Sequence, residues 1–186
     1  MTRQLQASRL NMQAFAKEGE PLVAITPLEK LERLTAEVRE LKPDAAVNWQ
    51  ADAEMRSGSG SEEDIWLHLQ ARTSVALTCQ RCMAAVETPL DVDQWYRFVA
   101  TEDIAMAQDD ESEEDLLVME PQFDLQAVLE DELLMALPLV PMHEQCPVAP
   151  KLSAGVEDLG DGEGAATEKP NPFAVLAQLK TGKPKK

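Results

Sequence analysis

Ile65-Trp66-Leu67-His68-Leu69-Gln70-Ala71, continuing through Val75 and Leu77 to Cys79-Gln80-Arg81-Cys82, alternates apolar and polar residues with a period of two. Successive side chains of an extended chain point to opposite faces. The stretch therefore predicts a half-buried strand with Ile65, Leu67, Leu69 and Ala71 inward and His68 turned to solvent. The same alternation runs upstream through Val47, Trp49, Ala51 and Ala53, with Ser57-Gly58-Ser59-Gly60-Ser61 as the turn between the two strands. Downstream it resumes at Val86, Thr88, Leu90 and Val92 and ends around Trp95-Tyr96-Arg97-Phe98. Long strands joined by short turns predict an antiparallel meander of three or more strands with one buried face. The two cysteines then sit at the tip of its second hairpin.

Two helices are expected to cover that face, which makes the fold class α+β. The first is predicted over residues 27–41. Thr26-Pro27-Leu28-Glu29 has the form of a capping box with proline at the first helical position, Leu28, Leu31, Leu34, Val38 and Leu41 recur at helical spacing, and Pro43 forbids continuation. The second is predicted over residues 124–137, capped by Asp124, with Phe123 stapled onto Val128. Its apolar stripe is Leu125, Val128, Leu129, Leu133 and Leu137, Glu130-Asp131-Glu132 makes a solvated face, and Pro138 ends it. Residues 1–25 show no clean periodicity. Residues 101–122 are strongly acidic and read as a solvated, mobile loop. The domain expectation is an α+β core over 1–142 that includes this loop, a flexible linker over 143–170, and a C-terminal helix with a basic tail over 171–186.

Composition narrows the function classes. The chain has 186 residues and a formal charge of −17, which disfavours broad contact with nucleic-acid phosphates and favours a basic protein as partner. Lys183, Lys185 and Lys186 offer at most a weak, salt-sensitive RNA contact. No apolar run approaches a membrane span, no signal peptide opens the chain, and three cysteines suit a reducing compartment, so the expected location is the cytoplasm. No phosphate loop, nucleophile elbow or metal-hydrolase motif occurs, so no catalytic residues are assigned and no enzyme is expected.

Cys79 and Cys82, with His143 and Cys146 some sixty residues later, form a complete soft-ligand set that uses every cysteine of the chain. Three readings stay open. The four can hold zinc tetrahedrally, the cysteine pair can be a redox dithiol, or the cysteines can simply fill a tight turn. A redox pair would normally open a helix, whereas this one joins two strands. The segment Asn171-Pro172-Phe173-Ala174-Val175-Leu176-Ala177-Gln178-Leu179-Lys180 is a second candidate site. It has the shape of a docking peptide anchored by Phe173, Leu176 and Leu179, or else of a terminal helix that folds back.

Three blocks together resemble the bacterial YceD family, whose members are called large ribosomal RNA subunit accumulation proteins. They are Cys79 to Cys82 after a strand, Leu129-Glu130-Asp131-Glu132-Leu133-Leu134-Met135-Ala136-Leu137-Pro138-Leu139-Val140-Pro141-Met142-His143, and residues 169–180. The resemblance implies a non-enzymatic role in accumulation of the large-subunit ribosomal RNA, through ribosome assembly or RNA processing, with a basic ribosomal or RNA-processing protein as partner. Genes of the family that the chain resembles commonly neighbour one for a small protein of the large ribosomal subunit. Many relatives carry further cysteines after the helix, where this chain has only His143 and Cys146. The rival class is a thiol-dependent redox or zinc-handling protein.

Overall fold

A computed structural model of the chain describes residues 7–57 and 63–148, which fall in one compact unit. The Ser57–Ser61 turn is only partly within them, and the C-terminal segment from residue 149 lies outside them.

Three long strands form the centre, as their alternation requires: β2 (Ala46–Ser57), β3 (Glu63–Thr78) and β4 (Ala85–Val99). They pair antiparallel, with Trp49 opposite Ala71 and Leu67 opposite Tyr96. Two short strands extend the sheet. β1 (Leu22–Pro27) lies antiparallel to β2, and β5 (Asp115–Val118) lies parallel to β4, giving the order β1-β2-β3-β4-β5. The inward set Val47, Trp49, Ala51, Ile65, Leu67, Leu69, Val92, Tyr96 and Phe98 is buried in a single core.

Helical pieces complete that core. α1 (Met12–Glu18) contributes Met12 and Phe15, is capped by the Asn11 side chain, and ends at Gly19, whose φ of 62° is the left-handed conformation that glycine tolerates. A short 3-10 turn over Leu28–Lys30 and α2 (Glu32–Glu37) contribute Leu28, Leu31 and Leu34. α4 (Leu125–Met135) begins on the cap of Asp124, which accepts the Ala127 N–H at 3.0 Å, and buries Leu125, Leu129 and Leu133 completely. Each of these leucines is worth about 1.5–3 kcal/mol of burial.

The N-terminal expectations need correction. The continuous helix over 27–41 does not form. Thr26 belongs to β1, and its hydroxyl accepts the indole N–H of Trp49 at 2.9 Å instead of capping a helix. Leu28 N–H is drawn to Ala45 O, and beyond Glu37 the chain extends so that Arg39 N–H reaches Ala76 O. The three leucines stay buried, but Leu28 lies in the 3-10 turn, Leu31 is the N-cap of α2, and only Leu34 lies within the α-helix itself. Residues 7–25, without visible periodicity, hold α1 and most of β1. The acidic stretch is also ordered into elements: α3 (Glu102–Gln108), a 3-10 turn, then β5. Thr101 caps α3, Glu102 and Asp103 sit in its first turn where carboxylates favour the helix dipole, and no residue of α3 is buried.

The other sheet face carries a stacked ladder in place of a solvated histidine. His68 lies flat on Trp95 at 4.1 Å between ring centres, bonds Asp93 at 2.6 Å, and leaves only 18% of its side chain exposed. The Arg56 guanidinium covers Trp66 and Trp95 at 4.5 and 4.3 Å.

Candidate metal centre

The β3–β4 hairpin tip is a tight turn from Cys79 to Ala84. Cys79 N–H donates to Ala84 O and Met83 N–H to Cys79 O, both at 2.9 Å. Met83 closes the turn with φ at 61°, a left-handed conformation uncommon outside glycine. The tip is docked onto the segment that leaves α4, where Pro138 bars any continuation of the helix. Gln80 N–H donates to Pro141 O at 2.9 Å, which fixes the height at which the next residues meet the turn.

That docking brings together all four predicted ligand residues. One donor atom from each of Cys79, Cys82, His143 and Cys146 lies within 4.8 Å of every other. Cys79 Sγ is 4.0 Å from Cys146 Sγ, and Cys82 Sγ is 3.5 Å from His143 Nδ1. A disulfide would need about 2.05 Å between sulfurs, so the three thiols are free and are spaced around a point between them. Cys79 is fully buried, and the other three are partly buried. Three thiols and an imidazole arranged in this way can hold a metal ion.

The surroundings suit such a role. His143 Nε2 is 3.0 Å from the carbonyl of Ala85, an acceptor that keeps the proton on Nε2 and leaves the Nδ1 lone pair facing Cys82. Burial disfavours the Cys79 thiolate, but the backbone N–H groups of Cys82, His143 and Arg81 and the His143 ring outweigh it and lower the thiol from 9.0 to about 5. Cys82 goes the other way. The Ala84 backbone favours its thiolate, yet burial and the neighbouring Cys146 and Cys79 sulfurs push the thiol up. Arg81, whose role the sequence did not disclose, donates from Nε to Cys146 Sγ at 3.1 Å and from Nη2 to His143 O at 2.7 Å. A cation between paired cysteines was a visible signal, but a hairpin tip is also where solvated arginines are common. The Ala85 carbonyl had no sequence signal at all.

The second candidate site, Asn171, Pro172, Phe173, Leu176 and Leu179, lies outside the described residues, as do the terminal lysines. The Glu130-Asp131-Glu132 run is less solvated than expected. Glu130 Oε1 accepts the backbone N–H groups of Arg33 at 2.7 Å and Leu34 at 3.1 Å, and so supplies the cap that α2 lacks locally. Among the described residues, no helix is long and apolar enough to cross a membrane.

Comparison with known proteins agrees with the family resemblance. The family model described as "Large ribosomal RNA subunit accumulation protein YceD" matches residues 67–180, which takes in both halves of the cysteine–histidine cluster. A protein of Haemophilus influenzae carrying the same description is 40% identical over 120 residues, covering 60% of this chain and 63% of the relative. The match thus spans under two thirds of that relative's length. No solved structure matches the chain.

Proposed function

Since the chain belongs to the YceD family, we propose that it is a non-enzymatic factor promoting accumulation of the large-subunit ribosomal RNA, acting in ribosome assembly or RNA processing through a basic protein partner, with a structural zinc ion in its cysteine–histidine cluster. The family match over residues 67–180 carries the first part of this reading. The charge of −17 supports the second, because such a chain repels phosphates and attracts basic proteins. The partner contact is assigned to the segment from Asn171 to Leu179, with the acidic stretch from Glu102 to Asp115 steering the encounter. The terminal lysines add only a weak RNA touch.

Distances support zinc. Zinc bonds of about 2.3 Å to sulfur and about 2.05 Å to nitrogen, at tetrahedral angles, separate two sulfurs by about 3.8 Å and a sulfur from a nitrogen by about 3.5 Å. One sulfur pair of the cluster stands at 4.0 Å and one sulfur–nitrogen pair at 3.5 Å, and every donor atom lies within 4.8 Å of the others. Soft thiolates with an imidazole suit zinc better than hard cations. With four protein ligands the site is closed, which fits a structural ion that pins the hairpin tip to the exit of α4.

The test of the cellular role is the ratio of the two ribosomal RNAs in a strain lacking the gene. The large-subunit RNA should fall relative to the small-subunit RNA, and the full chain should restore it. An unchanged ratio at slow and fast growth would overturn the proposal.

A further inference from the structure

The hydrogen bonds of Arg81 all go to the far side of the cluster. Its guanidinium donates to Cys146 Sγ at 3.1 Å, to His143 O at 2.7 Å and to Glu144 O at 3.3 Å, so one side chain from the hairpin tip holds three atoms of residues 143–146. Two of those residues are the late pair of ligands. The planar fork matters here, because a lysine ammonium offers the same charge but cannot present donors along two directions in one plane. Charge adds a second reason. Three thiolates and a neutral imidazole around a dication leave one net negative charge, and Arg81 is the cation that the structure sets against it.

We propose that Arg81 is the outer-sphere positioning residue of the metal centre. It holds the His143–Cys146 segment against the turn and offsets the negative charge of the loaded site, and thereby sets the strength with which the ion is held. This rests on the zinc reading above. Outer-shell partners typically contribute about 10–100-fold to metal affinity. Arg81 is exposed and partly screened by solvent, which places its contribution near the low end, about tenfold.

The experiment compares the full chain with Arg81→Gln and Arg81→Lys. Zinc affinity is read by competition with a chromophoric chelator, the number of bound thiolates by the charge-transfer band of the cobalt-substituted proteins, and fold stability by the thermal midpoint of the metal-free proteins. Arg81→Gln should weaken zinc by about tenfold while keeping three thiolates on cobalt and a near-wild-type metal-free midpoint. Arg81→Lys should recover part of the loss, since it restores the charge without the fork. Equal zinc affinity in wild type and Arg81→Gln would overturn the proposal, as would a loss matched by an equal loss of metal-free stability. If the wild-type chain itself takes up no zinc, the metal reading fails first, an outcome distinct from either.

Discussion

Cys79 has no exposed surface, and burial alone would keep its thiol protonated. The turn and the docked His143 reverse this with backbone N–H groups and the imidazole, and lower the thiol from 9.0 to about 5. The sign of the linkage follows. A group depressed on folding contributes its full stability above its unfolded value and loses it as pH falls through the folded one. In the metal-free protein, the gap in thermal midpoint between wild type and Cys79→Ser should therefore be widest above about pH 9 and should close as pH falls toward about 5. A gap that stays constant across this window would count against an ionised Cys79. With metal supplied, elemental analysis should find about one zinc per wild-type chain and a clear deficit in Cys79→Ser. The four ligand residues were legible in the sequence because ligand chemistry depends on residue type and spacing. Whether they would meet depended on Pro141 O reaching Gln80 N–H, a backbone contact that no residue type announces.

Elements were legible where one period ran long enough to dominate its neighbours. β2, β3, β4 and α4 all meet that condition, and their cores match the apolar alternation or stripe. α2 shows why the rest were not. Its local signals predicted a longer helix, but the capping hydroxyl of Thr26 was taken by Trp49 and the residues after Glu37 were drawn toward Ala76. β5 was concealed by the charge around it, although Leu116, Leu117 and Val118 are adjacent apolar residues. The cap from Glu130 gives the helix layer a measurable weak point. Its side chain is only 12% exposed and receives two backbone N–H groups of α2. Glu130→Ala should destabilise the fold by about 1–2 kcal/mol, as loss of a helix cap does. Glu130→Gln keeps an acceptor oxygen and should cost clearly less in a denaturant titration. Equal losses in the two variants would place the effect in the ion pair with Arg33 and not in the cap.

At the scale of the molecule, charge and connectivity lead in different directions. The charge of −17 bears on the encounter with a partner, and the proposed anchors lie outside the described residues. Phe173→Ala combined with Leu176→Ala should abolish capture of purified large-subunit ribosomal proteins and leave the thermal midpoint unchanged. Equal capture of protein-free ribosomal RNA at physiological salt would contradict a protein partner. Connectivity constrains the protein earlier than any encounter. Leu10 and Phe123 exchange backbone hydrogen bonds at 2.8 and 2.9 Å, and α2 receives its cap from a residue 97 positions downstream. During synthesis, Arg33 leaves the ribosome well before Glu130. At roughly 5–20 residues per second the interval is about 5–20 s. For that time α2 lacks its cap, and Leu28, Leu31 and Leu34 have no α4 to cover them, so the nascent chain presents an open apolar layer until its second half emerges. A protein proposed to promote accumulation of large-subunit ribosomal RNA is thus itself dependent on the pace at which a ribosome delivers it.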